Sequence, residues 1–497
     1  MTEPQPPGST PSLRNSLLKG SAWVISGRWI MRGIGFVSTL ILVRLLAPED
    51  FGLLAMCFVI IGLTEILFEF GVETAIIQST KLTDAHLNTA WTIRIIQSLL
   101  VAGILTACAP MAGAYYHDDR VAFLLPLISL GIVIRGFSSI GLVLLRRELQ
   151  FRREVAYGVA VRLVTFFLNI GLAWYLRNYW ALVIATICSN VIACVFSYWV
   201  SPYRPKPSLE KFREIWSFSQ WMLVQNITNY ANNQVDQLII GARLGAQSAG
   251  VYAVSTEIAE LPTTELIFPI SRVLFPGFAK LRAEPERLKH AFLNALGFLS
   301  TFSVPAGIGV AMLSERLVPL LLGEKWNDAI QIIQILAVCS VFRTLFGLPG
   351  NLLVAIGQVR LLTYFTVVQL LLFLGGAWTL IGYGLAGIAI AKNVAAALFL
   401  LLLIDRLAVL FPIARREILR QLVRPVFATA AMVVALLGVD PYLPNQYLFA
   451  IIIQVLFGAA AYSLALLTAW MIAGRPEGTE TFLLGHVQRL AHARNKL

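Results

Sequence analysis

The stretch Ile41-Leu42-Val43-Arg44-Leu45-Leu46-Ala47-Pro48-Glu49-Asp50-Phe51-Gly52 closes one long apolar segment and opens the next. Further on, Ile240-Gly241-Ala242-Arg243-Leu244-Gly245-Ala246-Gln247-Ser248-Ala249-Gly250 does the same. Each has Arg-Leu at a span end, a tight polar turn, and a glycine entering the next helix. The two align with a one-residue gap. Gly52 and Gly250 stand 198 positions apart (250 − 52), which marks an internal repeat of that period.

Apolar spans extend outward from both copies. The first block reads as 19–46, 52–77, 85–112, 121–145, 155–177 and 179–200. A basic, Pro-containing loop, 201–213, separates it from a second block at 214–243, 249–277, 290–313, 328–357, 360–381 and 383–406. Two more spans follow a second basic loop, near 425–439 and 446–473. Segments of about 20 apolar residues are the length that crosses a bilayer as helix. The predicted fold is therefore an all-α integral membrane protein with 14 transmembrane helices. It divides into 1–200 (N-lobe), 201–410 (C-lobe) and 411–497 (the last two helices and a tail). Both blocks start on the same side and hold an even number of spans. They are parallel repeats, related by an axis along the membrane normal.

Composition agrees with this. The chain has 497 residues, 58% of them hydrophobic and 13% charged, and a mean hydropathy of +0.74. No loop is long enough for a soluble domain. The polar, Pro-rich start, Met1 to Asn15, has no apolar signal core, so the first span is expected to act as a signal-anchor. The five cysteines, Cys57, Cys108, Cys188, Cys194 and Cys339, fall in or beside spans with no CxxC pair, and read as small apolar residues without metal or disulfide. The tail from Pro476 reads as an amphipathic surface helix, with Leu483, Val487 and Leu490 aligned.

The cations are sorted by side. Alternating the loops puts 25 of the 39 Lys and Arg on one side and 6 on the other, leaving 8 within spans (39 − 25 − 6). The positive-inside rule makes the richer side, with both termini, cytoplasmic. The net charge of +12 then belongs to topology and anionic-lipid contact rather than to nucleic acid.

The eight intramembrane cations are Arg28, Arg32, Arg94, Arg135, Arg162, Arg272, Arg343 and Lys392. Each costs roughly 3 kcal/mol or more at bilayer depth, so each is expected to face a cavity or a partner. Arg28 and Arg32 share one face of the first span; Glu65, Glu69 and Glu73 repeat at four on the second. In a hairpin turning near Glu49, equal rise sets Arg32 level with Glu65 and Arg28 level with Glu69. Two readings stand: ion pairs that hold the hairpin, or a cavity wall whose arginines bind diphosphate. Block one carries five cations against three acids. Block two carries Arg272, Arg343 and Lys392 against Asp236, Glu257, Glu260 and Glu265. An anionic headgroup thus favours the first lobe and a coupling cation the second. The planar fork of arginine suits bidentate diphosphate recognition.

The seventh span carries Asn226, Asn229, Tyr230, Asn233, Asp236 and Gln237 on one face. This stripe serves either sugar hydroxyls in a watery cavity or hydrogen bonds between helices. On the eighth, Pro262, Pro269 and Pro276 recur every seven residues and predict a bend. Glu257 and Glu265 share a face there, and with Asp236 they are the candidate coupling acids.

Three motifs, Gly20-Ser21-Ala22-Trp23, Leu45-Leu46-Ala47-Pro48-Glu49-Asp50-Phe51-Gly52-Leu53 and Phe70-Gly71-Val72-Glu73-Thr74-Ala75, make the chain resemble the Wzx-type flippases. These form part of the polysaccharide-transporter branch of the multidrug/oligosaccharidyl-lipid/polysaccharide exporter superfamily. The resemblance implies a V-shaped, two-lobe transporter around a central cavity, without cofactor, in the bacterial inner membrane. It implies undecaprenyl-diphosphate-linked oligosaccharide as substrate, with membrane lipids, a polymerase and export machinery as partners. Competing readings are a lipid II flippase, a drug/cation antiporter of the same superfamily, and a membrane glycosyltransferase or polymerase using the His117-Asp118-Asp119 loop. That loop is short, and Asp119 stands where a helix N-cap is expected. No P-loop, Rossmann glycine set or HExxH motif occurs.

Overall fold

The computed structural model describes residues 10–67, 76, 82–148, 150–212, 220–410, 413–444 and 446–474. Glu69, Glu73, the motif at 70–75 and the amphipathic tail lie outside the described residues, as does the side chain of Arg272.

Helices occupy the described parts of the stretches read as spans, apart from an interruption at 137–140. They are α1 (Thr10–Leu45), α2 (Pro48–Leu67), α3 (Asp84–Tyr116), α4 (Asp119–Gly136), α5 (Gly141–Arg147), α6 (Phe151–Leu176) and α7 (Tyr179–Val200). Then come α8 (Gln220–Lys280), α9 (Pro285–Leu321), α10 (Ala329–Ala355), α11 (Val359–Leu380), α12 (Gly384–Leu410), α13 (Arg415–Val439) and α14 (Tyr447–Ile472). Among the described residues, eight helical stretches are long and apolar enough to cross a membrane, or nine with α4 and α5 taken as one span bent by 60°. Only helices close all their backbone hydrogen bonds within one segment, which is what lipid demands.

The chain forms two compact units. The first is Met1–Tyr230 with Gln237–Gly250; the second is Ala231–Asp236 with Val251–Leu497. In the first, α1 packs on α6, α3 on α4, and α7 on both α4 and α6. Glycine permits the closest of these approaches. A Cβ on Gly158 would lie 2.9 Å from the Met31 sulfur, and one on Gly27 would overlap Val155. Residues 27, 31 and 35 of α1 meet 155, 158 and 162 of α6 in ascending order, so the two helices run parallel. In the second unit, α9, α10 and α12 surround a core of Phe292, Leu296, Leu348, Leu352, Phe399 and Leu403. α13 and α14 dock on α9, through a cluster of Ala428, Met432, Leu436, Tyr462 and Leu466. The Tyr462 hydroxyl donates to the Thr301 carbonyl at 2.6 Å. Asp440 accepts from Arg316 at 2.8 Å and from Gln454 at 3.0 Å.

One feature matches the sequence reading and one departs from it. α8 breaks in the turn read between the seventh and eighth spans: it is helical at Pro262, Pro269 and Pro276, and its non-helical residue is Gly245, at φ 80°. Left-handed backbone there suits a residue without Cβ. The helix N-cap in the outer loop is Asp118, not Asp119; its carboxylate accepts from the Arg120 backbone N–H at 3.0 Å. Arg120 also bonds Glu49 in the first turn of α2, at 2.6 Å.

The two repeat turns pack against each other within the first unit, and reciprocally. A Cβ on Gly52 would strike the Ala246 carbonyl, 2.6 Å from its carbon; a Cβ on Gly250 would strike the Pro48 carbonyl, 2.7 Å from its carbon. Each of these Cβ positions also falls 2.9 Å from the other glycine's nitrogen.

Either Gly52→Ala or Gly250→Ala should therefore cost about 1–3 kcal/mol by overpacking, at the upper end because the obstacle is backbone. Gly347 of α10 has nothing within 4 Å of its Cβ position, so Gly347→Ala should be neutral or stabilising. Thermal unfolding of detergent-purified protein distinguishes them, and equal midpoints for all three variants would refute the crossing.

The Arg120 side chain, bonded to Asp118, holds that carboxyl below its ordinary value. A depressed carboxyl contributes stability that is complete at neutral pH and lost as pH falls through the folded-state value. Asp118→Asn should thus be less stable than wild type at pH 7. The gap should close below about pH 3–4, as thermal melts across that range would record.

Candidate functional site

The intramembrane cations read in the first unit lie on α1, α3, α4 and α6. Arg28 and Arg32 sit on α1, one residue beyond the contact positions 27 and 31. Arg162 of α6 presses Nη2 over Gly35 of α1. Arg162 thus lies in the seam where α1 and α6 meet, and Arg32 and Arg28 stand about one and two helical turns before that level on α1.

Arg94 and Arg135 serve the break between α4 and α5. Helix ends leave carbonyls without intrahelical partners. Arg94 Nη2 donates to the Arg135 carbonyl at 3.0 Å. The Tyr198 hydroxyl donates to the Phe137 carbonyl at 2.6 Å, and Ser197 Oγ accepts from the Ser139 N–H at 2.8 Å. The break is a built element, and Arg94 is one of its caps. The guanidinium of Arg135 pairs with Glu65 of α2. The hairpin register pointed to Arg32 as the partner of Glu65; the structure gives Arg135. Equal rise fixes height along a hairpin, but not which neighbour a side chain turns toward.

The polar stripe on α8 divides by role. The Tyr230 hydroxyl donates to the Val59 carbonyl of α2 at 2.7 Å, beside Gly62, whose Cβ position would lie 2.8 Å from the tyrosine ring. Gln237 donates to the Ala249 carbonyl at 2.9 Å, across the Gly245 break. These two do packing work. Asn226 and Asn229 lie about two turns and one turn before Asn233 on the same helix.

Asn233 and Asp236 line a cavity of about 50 Å³ inside the second unit, with Asn232, Cys339, Arg343, Phe346, Gln369, Phe373 and Lys392. Asp236 is not isolated. Lys392 of α12 pairs with its carboxylate, and the Tyr252 hydroxyl donates to the same oxygen at 2.6 Å. The Lys392 ammonium lies 5.7 Å from the Tyr252 ring centre, in cation–π range. Arg343 of α10 pairs with Glu260 of α8 at 2.7 Å, and Asn232 donates to Gln369 at 3.2 Å. Glu265 is buried and Glu257 half-buried on the same helix.

Sequence reasoning missed Tyr252, Asn232 and Gln369, and placed Glu260 only in a charge balance. Tyr252 was within reach. Around Gly245, Asp236 lies nine residues before and Tyr252 seven after, close to level across a hairpin. Gln369 and Asn232 had no signal, because their pairing depends on helix rotation.

A family profile described as "Polysaccharide biosynthesis protein" matches residues 41–331. The chain belongs to that family, which comprises Wzx-type flippases. It is 29% identical to the lipopolysaccharide biosynthesis protein WzxC of Escherichia coli (strain K12), over 73% of this chain and 75% of the relative. It is 22% identical to the putative O-antigen transporter of Shigella flexneri, over 78% and 97%. Among solved structures, the lipid II flippase MurJ in its inward closed conformation superimposes with a TM-score of 0.73 at 13% identity, covering 91% of this chain and all of MurJ. That likeness speaks for the fold. The polysaccharide biosynthesis flippase is thus a multi-pass membrane transporter from a family of transporters rather than enzymes.

The Arg343–Glu260 and Arg135–Glu65 pairs each join two helices. Removing one partner leaves a charge in a poorly solvated place. For Arg343→Ala and Glu260→Ala, a double-mutant cycle on thermal stability should give a coupling of about 1–3 kcal/mol, near the top of the range for contacting residues. Simple additivity would mean the two charges act independently.

Proposed function

We propose that this flippase carries undecaprenyl-diphosphate-linked oligosaccharide repeat units from the cytoplasmic to the periplasmic leaflet, for exopolysaccharide or O-antigen synthesis. It works by alternating access of two six-helix lobes, with fourteen spans and cytoplasmic termini. The observation that supports the reading is the packing of α1 on α6, which brings Arg28, Arg32 and Arg162 onto two neighbouring helices. Guanidinium groups along a helix seam supply charge-assisted, bidentate bonds to a diphosphate. The amides Asn226, Asn229 and Asn233 supply hydroxyl-bonding groups for the sugars, while the polyprenyl chain remains in lipid.

The roles divide accordingly. Arg28, Arg32 and Arg162 receive the headgroup. Arg94 and Arg135 shape the bent span beside it, and Arg272, Arg343 and Lys392 belong to the C-lobe. The family match and the name of the Shigella relative support a saccharide cargo over a drug cation. The excess of arginine over acid in the first block supports an anionic headgroup.

In cells that depend on this chain for polymer export, Arg28→Ala and Arg32→Ala should each lower export about tenfold or more. One charge-assisted bond is worth about 1.5–3 kcal/mol. Membrane insertion, followed by immunoblot of the membrane fraction, should be unchanged. Wild-type export by both variants would remove the arginine seam from the substrate path.

A further inference from the structure

The charges around the small cavity of the second unit balance. Asp236 and Glu260, from the two segments of α8, meet Lys392 of α12 and Arg343 of α10. Tyr252 and Cys339 are further titratable groups beside them among the described residues. Glu260 is held by the broad fork of Arg343. One oxygen of Asp236 receives both a flexible amine, from Lys392, and a hydroxyl, from Tyr252. The side chain of Asp236 is only 3% exposed, and that of Lys392 17%. A carboxylate so enclosed cannot lose its cation without taking another positive charge. Oxygen-bearing side chains surround the ammonium: the Tyr252 hydroxyl meets the Asp236 carboxylate, and Asn232, Asn233 and Gln369 line the same cavity.

We propose that this pocket is a monovalent-cation site whose resident is the tethered ammonium of Lys392, and that the proton is its exchange partner. When Lys392 withdraws, still protonated, one proton from water binds an Asp236 carboxyl oxygen, and the pocket keeps its charge. The reverse step returns the proton to water and the ammonium to the carboxylate. One positive charge enters for each that leaves. An alkali cation is excluded from the wild-type site because the amine fills its place and cannot diffuse away. This deepens the transport reading by assigning the coupling residue and ion, and rests on that reading only for the role of the exchange in flipping.

The test has two independent arms. In detergent, thermal midpoints are measured in sodium chloride against choline chloride at matched ionic strength. Wild type should show no sodium-specific rise. Lys392→Met vacates the site, and sodium should then raise its midpoint by about 1–2 °C, as for a ligand at roughly ten times its Kd on a chain of this size. The rise should vanish in Lys392→Met/Asp236→Asn. If Lys392→Met does not accumulate, Lys392→Gln provides the same vacancy with one donor retained. A wild-type sodium response equal to that of the variant, or no response in folded Lys392→Met or Lys392→Gln, overturns the proposal. In proteoliposomes, wild-type flipping should respond to a pH gradient and not to a sodium gradient at constant pH; stimulation by sodium overturns it as well. Absence of any flipping would count against the transport reading alone, since the detergent arm would still judge the site.

Discussion

The backbone crossing of Gly52 and Gly250 is the constraint from which the rest of the first unit follows. Each glycine admits a carbonyl of the opposite turn where any side chain would collide. In lipid there is no hydrophobic force between helices, so close approach of small residues does the work of association. The crossing sets the level at which α2 meets the Gly245 region of α8. It is reinforced by Tyr116 against Gly241, at 2.6 Å from a Cβ position, by Tyr230 on Val59, and by Arg120 joining the outer ends of α2 and α4. The repeat visible in the sequence is thus also a contact, with each copy providing the surface on which the other rests.

Charge is distributed around this frame by a second rule. A charge at membrane depth is tolerable where another neutralises it. Glu65 with Arg135, Glu260 with Arg343 and Asp236 with Lys392 each tie one helix to another, and all three acids lie on α2 or α8, the helices that carry the crossing glycines. The arginines of the α1–α6 seam suit capture of an anion, whereas the balanced cavity of the second unit suits exchange of one cation for another.

The span pattern was legible because hydropathy over about 20 residues is a strong, local signal. The repeat was legible because Arg-Leu, turn and glycine recur in order. The bend at Phe137–Ile140 was not, because the stretch stays apolar while the helix breaks; its caps come from Arg94, Tyr198 and Ser197, far off in sequence. Charged positions were legible and their partners only in part. Lys392 and Asp236 were read only within one block's charge balance, and Glu65 was set level with Arg32 rather than Arg135, since pairing depends on helix rotation. The break in α8 was legible too, since the turn read at 240–250 holds Gly245, the residue that takes a positive φ.

The central claim is movement of a lipid-linked saccharide between leaflets by the protein alone. The most direct measurement places purified protein in liposomes with a fluorescent polyprenyl-diphosphate oligosaccharide and follows its accessibility to an impermeant glycan-cleaving enzyme. The account predicts that the protected fraction becomes accessible at a rate proportional to the amount of protein, without nucleotide. A protected fraction that persists at every protein density, or one released only when a nucleotide is hydrolysed, would contradict it.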